Sequence, residues 1–361
     1  MTNTESIKRI KSMDTARGIA SFFLAPAHYS HWYLRIFPSP SWMQYLFRII
    51  IGVPFQYVFV TLPGMAVTLQ LFISRKKGFD ESKLRSSIIK RGLILIIIQY
   101  ICNFLSYGPD YTWNWFILSF IGLSIILSYF LTGSSEKLRI FLIIIIIILS
   151  PILKYLFFYI YLSGAFLIDA WSIEFFLNKM LFEVNFPIFP YLVLPIFGTL
   201  FAEKMIKAIE EEKQKKFIKN SLIIGGILVL FYIITLNFDW IFNFPHIAYY
   251  SLPTRQEVLF SFGIVMIIIA LFFWIQDVNG KDGKIFRMFE VFSAISLTVF
   301  VTHFYILPPI LELIYDPAQN LSEYSVFQIC SFWWAIYWIC GVIWQRNQRK
   351  YSLEWLLRRL S

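Results

Sequence analysis

Three histidines sit inside long apolar stretches of this chain. His28 and His31 lie in RGIASFFLAPAHYSHWYLRIF (17–37), and His303 lies in VFSAISLTVFVTHFYIL (291–307). A neutral imidazole can take a proton from an attacking nucleophile, or attack a carbonyl itself. In hydrocarbon an ionisable residue is costly and points to function unless a neighbouring helix accounts for it. The plainer alternative is that each histidine only hydrogen-bonds another helix. Pro26 has no N–H to offer the carbonyl of Phe22. A freed carbonyl at membrane depth must be satisfied by protein or by a wet cavity, so this segment is expected to line a cavity. His31 follows His28 by three residues and shares its helix face. Asp14 and Arg17 stand at the mouth of the same segment. They form either a helix-start pair worth a few tenths of a kcal/mol or a group facing a phosphate or gate. Pro63-Gly64 is expected to break a second apolar segment where a backbone or ligand comes close. Arg75-Lys76-Lys77 follows, either as an anchor or as a holder of anionic phosphates. Cys102, Cys330 and Cys340 show no metal-ligand spacing and read as packing residues; no metal is expected.

The elements that must position these groups follow from composition. Of 361 residues, 58% are hydrophobic and 15% charged, against about 25% charged in a soluble domain. A span needs about 20 apolar residues. Ten stretches qualify, near 18–38, 51–73, 92–107, 114–131, 139–160, 187–203, 220–237, 257–275, 289–310 and 325–345. The chain is therefore expected to be an all-α integral membrane protein, a polytopic bundle of about 10 transmembrane helices. Pro151 in a long fifth stretch leaves 11 possible. The net charge of +10 would suggest nucleic acid in a soluble protein; here it reports orientation. With ten spans, 27 of the 32 Lys and Arg fall on one side, which the positive-inside rule makes cytoplasmic, both termini included. The expected organisation is a single transmembrane domain, 1–361, with a cytoplasmic N-terminal segment, 1–17, and a cytoplasmic basic tail, 346–361, in the cell membrane. No nucleic-acid partner is expected, and membrane lipids are. The first stretch has no cleavage-site pattern, and no internal repeat is evident.

By the 1.5 Å rise per residue, His28 lies about 16 Å along its helix from Arg17. His303 lies at a similar depth in a helix entered from the same side, so the two histidines make a candidate site. The opposite side is rich in aromatics and acids, including Trp42, Trp113, Trp115, Asp169, Trp171, Asp239 and Trp240. These make either an interfacial aromatic belt or a platform for a sugar. His246 in NFPHIAYY is too weakly placed to read.

Several stretches in order carry a resemblance. SMDTARGIASFFLAPAH, with Asp14, Arg17, Gly18 and His28, resembles the opening motif of transmembrane acyltransferases, including acyltransferase family 3. FVTLPGMAVTLQLFISRKK, FPIFPYLVLPIFGTLFAEK, ISLTVFVTHFYIL and SLEWLLRRL are more similar to prokaryotic relatives of heparan-α-glucosaminide N-acetyltransferase. The resemblance implies a transmembrane acetyltransferase. Its acyl donor would be cytoplasmic acetyl-CoA, and its acceptor a sugar or amino sugar of a glycan or glycolipid on the other side. It makes His28 the candidate catalytic base, with His31 its rival. His303 is a candidate stabiliser of the oxyanion, and Asp14, Arg17, Arg75, Lys76 and Gly64 are candidates for holding acetyl-CoA. A homodimer is also expected from relatives. A proton-coupled transporter or flippase for a glycan or lipid would use broken helices and midplane histidines equally well, and a purely structural membrane protein would tolerate their replacement.

Overall fold

The computed structural model describes residues 10–34, 41–162, 171–182, 186–235, 255–314, 321–348 and 350–361. Asp169, Asp239, Trp240 and His246 lie outside them. The described residues are helical almost throughout. In chain order the helices are α1 (Lys11–Trp32), α2 (Val53–Lys76), α3 (Glu81–Tyr107), α4 (Ile117–Thr132), α5 (Glu136–Leu162), α6 (Ile173–Leu181), α7 (Ile188–Tyr191), α8 (Val193–Glu210), α9 (Gln214–Thr235), α10 (Arg255–Phe272), α11 (Lys284–Ala294), α12 (Ser296–Val301), α13 (Leu307–Ile314), α14 (Glu323–Arg346) and α15 (Leu353–Leu360). Wide π-type turns at Gln44–Gly52, Phe273–Val278 and Thr302–Ile306 join α2, α10 and α13 to what precedes or follows them.

Each of the ten apolar stretches coincides with a helix or an interrupted helix. Among the described residues, six helical runs are long and apolar enough to cross a membrane: Gln44–Lys76, Glu81–Tyr107, Gln214–Thr235, Gln256–Val278, Ser296–Ile314 and Glu323–Arg346. Away from their charged ends, their outward faces carry isoleucine and leucine, as at Ile223, Ile227, Leu230 and Ile234 on α9. An apolar face left open on that scale belongs in lipid, and the chain is a membrane protein. Boundaries differ from the sequence reading in instructive ways. α3 starts at Glu81 rather than near 92, because Asp80 caps it by accepting from the Ser82 N–H at 2.8 Å. Its first turns therefore hold Lys83, Arg85, Lys90 and Arg91, which composition alone had assigned to a loop. Pro151 leaves α5 a single helix.

The chain forms two compact units: Met1–Phe59 with Ile268–Leu360, and Val60–Ile267. In the second unit, α2 runs unbroken through Pro63-Gly64, contrary to the expected break. A Cβ on Gly64 would lie 2.0 Å from the Pro195 carbonyl oxygen of α8, and one on Gly198 would lie 2.4 Å from that of Thr61. The two helices thus cross backbone to backbone, as small residues allow in membranes. Arg139, at the start of the fifth apolar stretch, is 2% exposed. Its guanidinium grips Glu203 of α8 with two bonds of 2.8 and 2.6 Å and donates to Thr199 Oγ1 at 3.2 Å.

In the first unit, α1 packs on α11 and α14 around a core that includes Tyr29, Phe47, Phe292, Val299 and Trp333. Gly18 permits the α1–α11 crossing, since a Cβ there would sit 1.9 Å from the Phe289 carbonyl oxygen. Ile10 cannot cap α1. Asp277 does so from a distant segment, accepting from the N–H groups of Lys11 and Ser12 at 2.7 and 3.0 Å. Beside it, the Lys11 ammonium hydrogen-bonds Asp282 at 2.8 Å and holds that carboxyl below the usual carboxylate range.

Candidate active site

The site in the first unit is built from two carbonyls that prolines have set free. In α1, Pro26 leaves the Phe22 oxygen without its helical donor. The indole N–H of Trp334, on α14, donates to it at 2.8 Å, and the Trp334 ring stacks on Phe22 with centroids 4.6 Å apart. Protein satisfies this carbonyl, one of the two outcomes that the membrane allows. The second case is the turn Thr302–Ile306. Here the Leu307 N–H reaches back five residues to the Thr302 oxygen. In that register the His303 oxygen would fall to the nitrogen of Pro308, which has no hydrogen. The Tyr29 hydroxyl donates to it instead, at 3.1 Å. Both donors come from aromatic side chains on other helices, which ties α1, α14 and the His303 turn together.

These ties bring the two expected histidines into contact. His28 Nδ1 lies 3.1 Å from His303 Nε2, with ring centroids 5.2 Å apart. His303 Nδ1 lies 3.1 Å from the Val299 oxygen, and a carbonyl only accepts. His303 therefore carries hydrogen on Nδ1. With both rings neutral, His303 Nε2 is an acceptor and His28 Nδ1 is the donor. His28 is left with a lone pair on Nε2, pointing away from His303. His303 is fully buried and His28 only partly so. The His28 ring lies between those of Trp32, at 4.8 Å, and Phe304, at 5.8 Å.

His31 has a different environment. Arg48 Nη1 stands 2.7 Å from His31 Nδ1. A guanidinium has only donors, so the His31 Nδ1 lone pair is occupied and its hydrogen sits on Nε2. The shared helix face of His28 and His31 does not give them shared partners.

Asp14 and Arg17 remain close, at 3.8 Å, and Ser293 Oγ lies 3.5 Å from Asp14. Arg75, Lys76 and Gly64 belong to the second unit. Arg75 forms a two-bonded pair with Glu81, at 2.9 and 3.2 Å, and Lys76 meets Glu210 at 2.7 Å. Both cations are about half exposed, at 49% and 52%. Gly64 meets the Pro195 backbone, as above. The structure thus brings His28 and His303 together and places the Arg75, Lys76 and Gly64 group in its own unit. The sequence reading missed Tyr29, Trp334 and Arg48. Pro26 was a signal for a donor at Phe22, though not for which donor. Among the described residues, no three His, Cys, Asp or Glu side chains converge as metal ligands would.

Residues 9–236 match the family model of the heparan-alpha-glucosaminide N-acetyltransferase catalytic domain. The match includes His28, His31, Asp14, Arg17, Gly64, Arg75 and Lys76, while His303 lies beyond it. No curated protein sequence matches the chain. A model that covers well over half of the chain, on a helical membrane fold with a paired histidine site, identifies the protein as a member of the heparan-alpha-glucosaminide N-acetyltransferase catalytic-domain family, a family of membrane acetyltransferases that use acetyl-CoA as donor.

Proposed function

We propose that this protein transfers an acetyl group from cytoplasmic acetyl-CoA to a sugar or amino sugar of a glycan or glycolipid on the opposite side of the membrane, with His28 as the general base. The observation that carries this reading is the hydrogen-bond chain Val299–His303–His28, which leaves His28 Nε2 with its lone pair free. In the proposed step, that nitrogen takes the proton of the acceptor amine or hydroxyl as the acceptor attacks the thioester carbonyl carbon. The C–S bond then breaks, and the CoA thiolate recovers the proton from His28. While His28 carries the charge, its Nδ1–H stays donated to His303, whose own Nδ1–H leans on the Val299 carbonyl. That relay orients the base and spreads the transient charge.

The same chain bears on two of the candidate roles. His303 has no N–H left to stabilise an oxyanion, so its part is to position His28. His31 has its Nδ1 lone pair committed to Arg48, which favours His28 over His31 as base. Arg75 and Lys76 remain candidates for the CoA phosphates. Pairs as exposed as theirs are worth about 0–1 kcal/mol, so a multiply charged phosphate group can displace the carboxylates. Basic segments on one side support the cytoplasmic placement of both termini. The test is acetyl transfer by the purified protein from radiolabelled acetyl-CoA to a panel of amino sugars and glycolipids. Label on an acceptor is expected. Absence of CoA binding at every concentration would overturn the reading in favour of the transporter or flippase.

A further inference from the structure

The C-terminal helix α15 does not end as a loose basic tail. Glu354, in its first turn, reaches back to Thr298 near the start of α12. Its Oε1 accepts from the Thr298 backbone N–H at 2.9 Å, and its Oε2 from the Thr298 hydroxyl at 2.7 Å. The same hydroxyl accepts from the Leu353 N–H at 3.0 Å. Two hydrogen bonds therefore join Thr298 to Glu354, 56 positions away, and a third joins it to the neighbouring Leu353.

The place of this contact gives it meaning. The helix bearing His303 is interrupted at Ile295, whose φ is −122° and ψ 22°. The N–H groups of the following turn, from Ser296 on, lose their helical acceptors. Ile295 has no side chain to cap them, and Glu354 supplies a carboxylate from the tail to the third of these residues. A carboxylate at that end also matches the helix dipole. From Thr298 the order continues upward. Its carbonyl accepts from the Thr302 hydroxyl at 2.7 Å, and Thr302 in turn accepts from the Tyr337 hydroxyl. The next carbonyl, that of Val299, holds His303 Nδ1 at 3.1 Å. Thr298 is 6% exposed and Ser352, which caps α15 through the Trp355 N–H, is 2% exposed, while Glu354 itself is half-buried.

We propose that Glu354 is a positioning residue for the acyl-transfer site: by capping the half-helix α12 it fixes the Val299 carbonyl, the His303 ring and through them the proton arrangement of His28. This rests on the acetyltransferase reading above. Glu354 touches no substrate, and its effect is transmitted through His303.

The test is Glu354→Ala in the full-length protein, with Glu354→Gln, His303→Ala and the double variant alongside. At metal sites, loss of the partner that orients a ligating side chain costs about 10–100-fold, and Glu354 orients His303 in a comparable way without a metal. A fall of that size in kcat is expected for Glu354→Ala, with KM for acetyl-CoA unchanged. Glu354→Gln keeps one acceptor for the Thr298 N–H and is expected to recover most of the rate. Adding Glu354→Ala to His303→Ala is expected to lower kcat by less than about 3-fold, because the two act through one path. Imidazole ¹⁵N spectra of the four histidines give a readout independent of turnover: the Nδ1–H form of His28 is expected to be lost in Glu354→Ala. If that variant does not fold, Thr298→Val, similar in shape but without the hydroxyl, takes its place. Multiplicative losses in the double variant, unchanged spectra, or a raised KM with unchanged kcat would overturn the proposal. Full activity of Glu354→Ala with His28→Ala dead would defeat only this inference. Full activity of both would defeat the base assignment beneath it.

Discussion

Replacing Trp334 by phenylalanine removes the indole N–H and, with it, part of the ring that packs on Phe22, Phe23 and Phe47. The indole stacks on Phe22 at 4.6 Å and nearly parallel, and the smaller ring keeps only part of that contact. With the N–H goes the 2.8 Å bond from the indole to the Phe22 oxygen, which Pro26 cannot replace. An orphaned buried carbonyl costs about 1–3 kcal/mol in a soluble protein. In a bilayer the unfolded reference also finds partners, and measured values average about 0.6 and reach about 1.7 kcal/mol. A loss of about 1 kcal/mol is therefore expected, which at the usual scaling for larger domains lowers Tm by about 2–4 °C. The diagnostic step is to repeat the change in Pro26→Ala. Alanine restores an N–H at position 26, the helix can serve the Phe22 oxygen itself, and Trp334→Phe should then keep only its packing loss, a Tm shift clearly smaller than in the parent background. The assay is thermal unfolding of the four detergent-solubilised proteins at one concentration. Equal shifts from Trp334→Phe in both backgrounds would refute the idea that Pro26 creates the need for Trp334.

Gly18→Ala should lower Tm substantially, because its Cβ would fall 1.9 Å from backbone rather than from a movable side chain; overpacking of this kind costs about 1–3 kcal/mol, and an unchanged Tm would show that α1 and α11 are not fixed at this crossing. Arg139→Met should destabilise by about 3 kcal/mol, the lower end of the range for a buried pair because Glu203 is partly exposed. Adding Glu203→Met should recover most of that in the same unfolding assay, and no recovery would mean that the pair is not a unit. Replacing Arg75 and Lys76 together by glutamine should raise KM for acetyl-CoA several-fold while leaving kcat at saturation within about 2-fold. Unchanged KM would remove both from the donor site.

Much of this arrangement could be read from local chemistry. Pro26 announces a freed carbonyl, and His28 and His303 announce themselves by standing in hydrocarbon. Equal depth on helices entered from one side suggested that they meet, and they do. What the chain did not disclose is the identity of long-range partners. Nothing in the order of residues singles out Trp334 from the other eleven tryptophans, or Glu354 from a tail dominated by arginine. The Arg48–His31 pair was hidden because Arg48 falls between the first two apolar stretches, where nothing local says which side chain it meets. Pro63-Gly64 misled in the opposite way. It reads as a helix break, yet α2 continues, and the glycine serves the close approach of Pro195. Local signals marked where the backbone needed help; packing decided which side chain supplied it.

The central claim is that His28, and not His31, is the base. The most direct measurement is steady-state acetyl transfer by His28→Ala and His31→Ala at saturating acetyl-CoA, with CoA binding measured in parallel. His28→Ala is expected to lose about 10²–10⁴-fold in kcat while still binding CoA, and His31→Ala to stay within about 10-fold of the parent protein. Loss of transfer in His31→Ala with activity retained in His28→Ala would contradict the account.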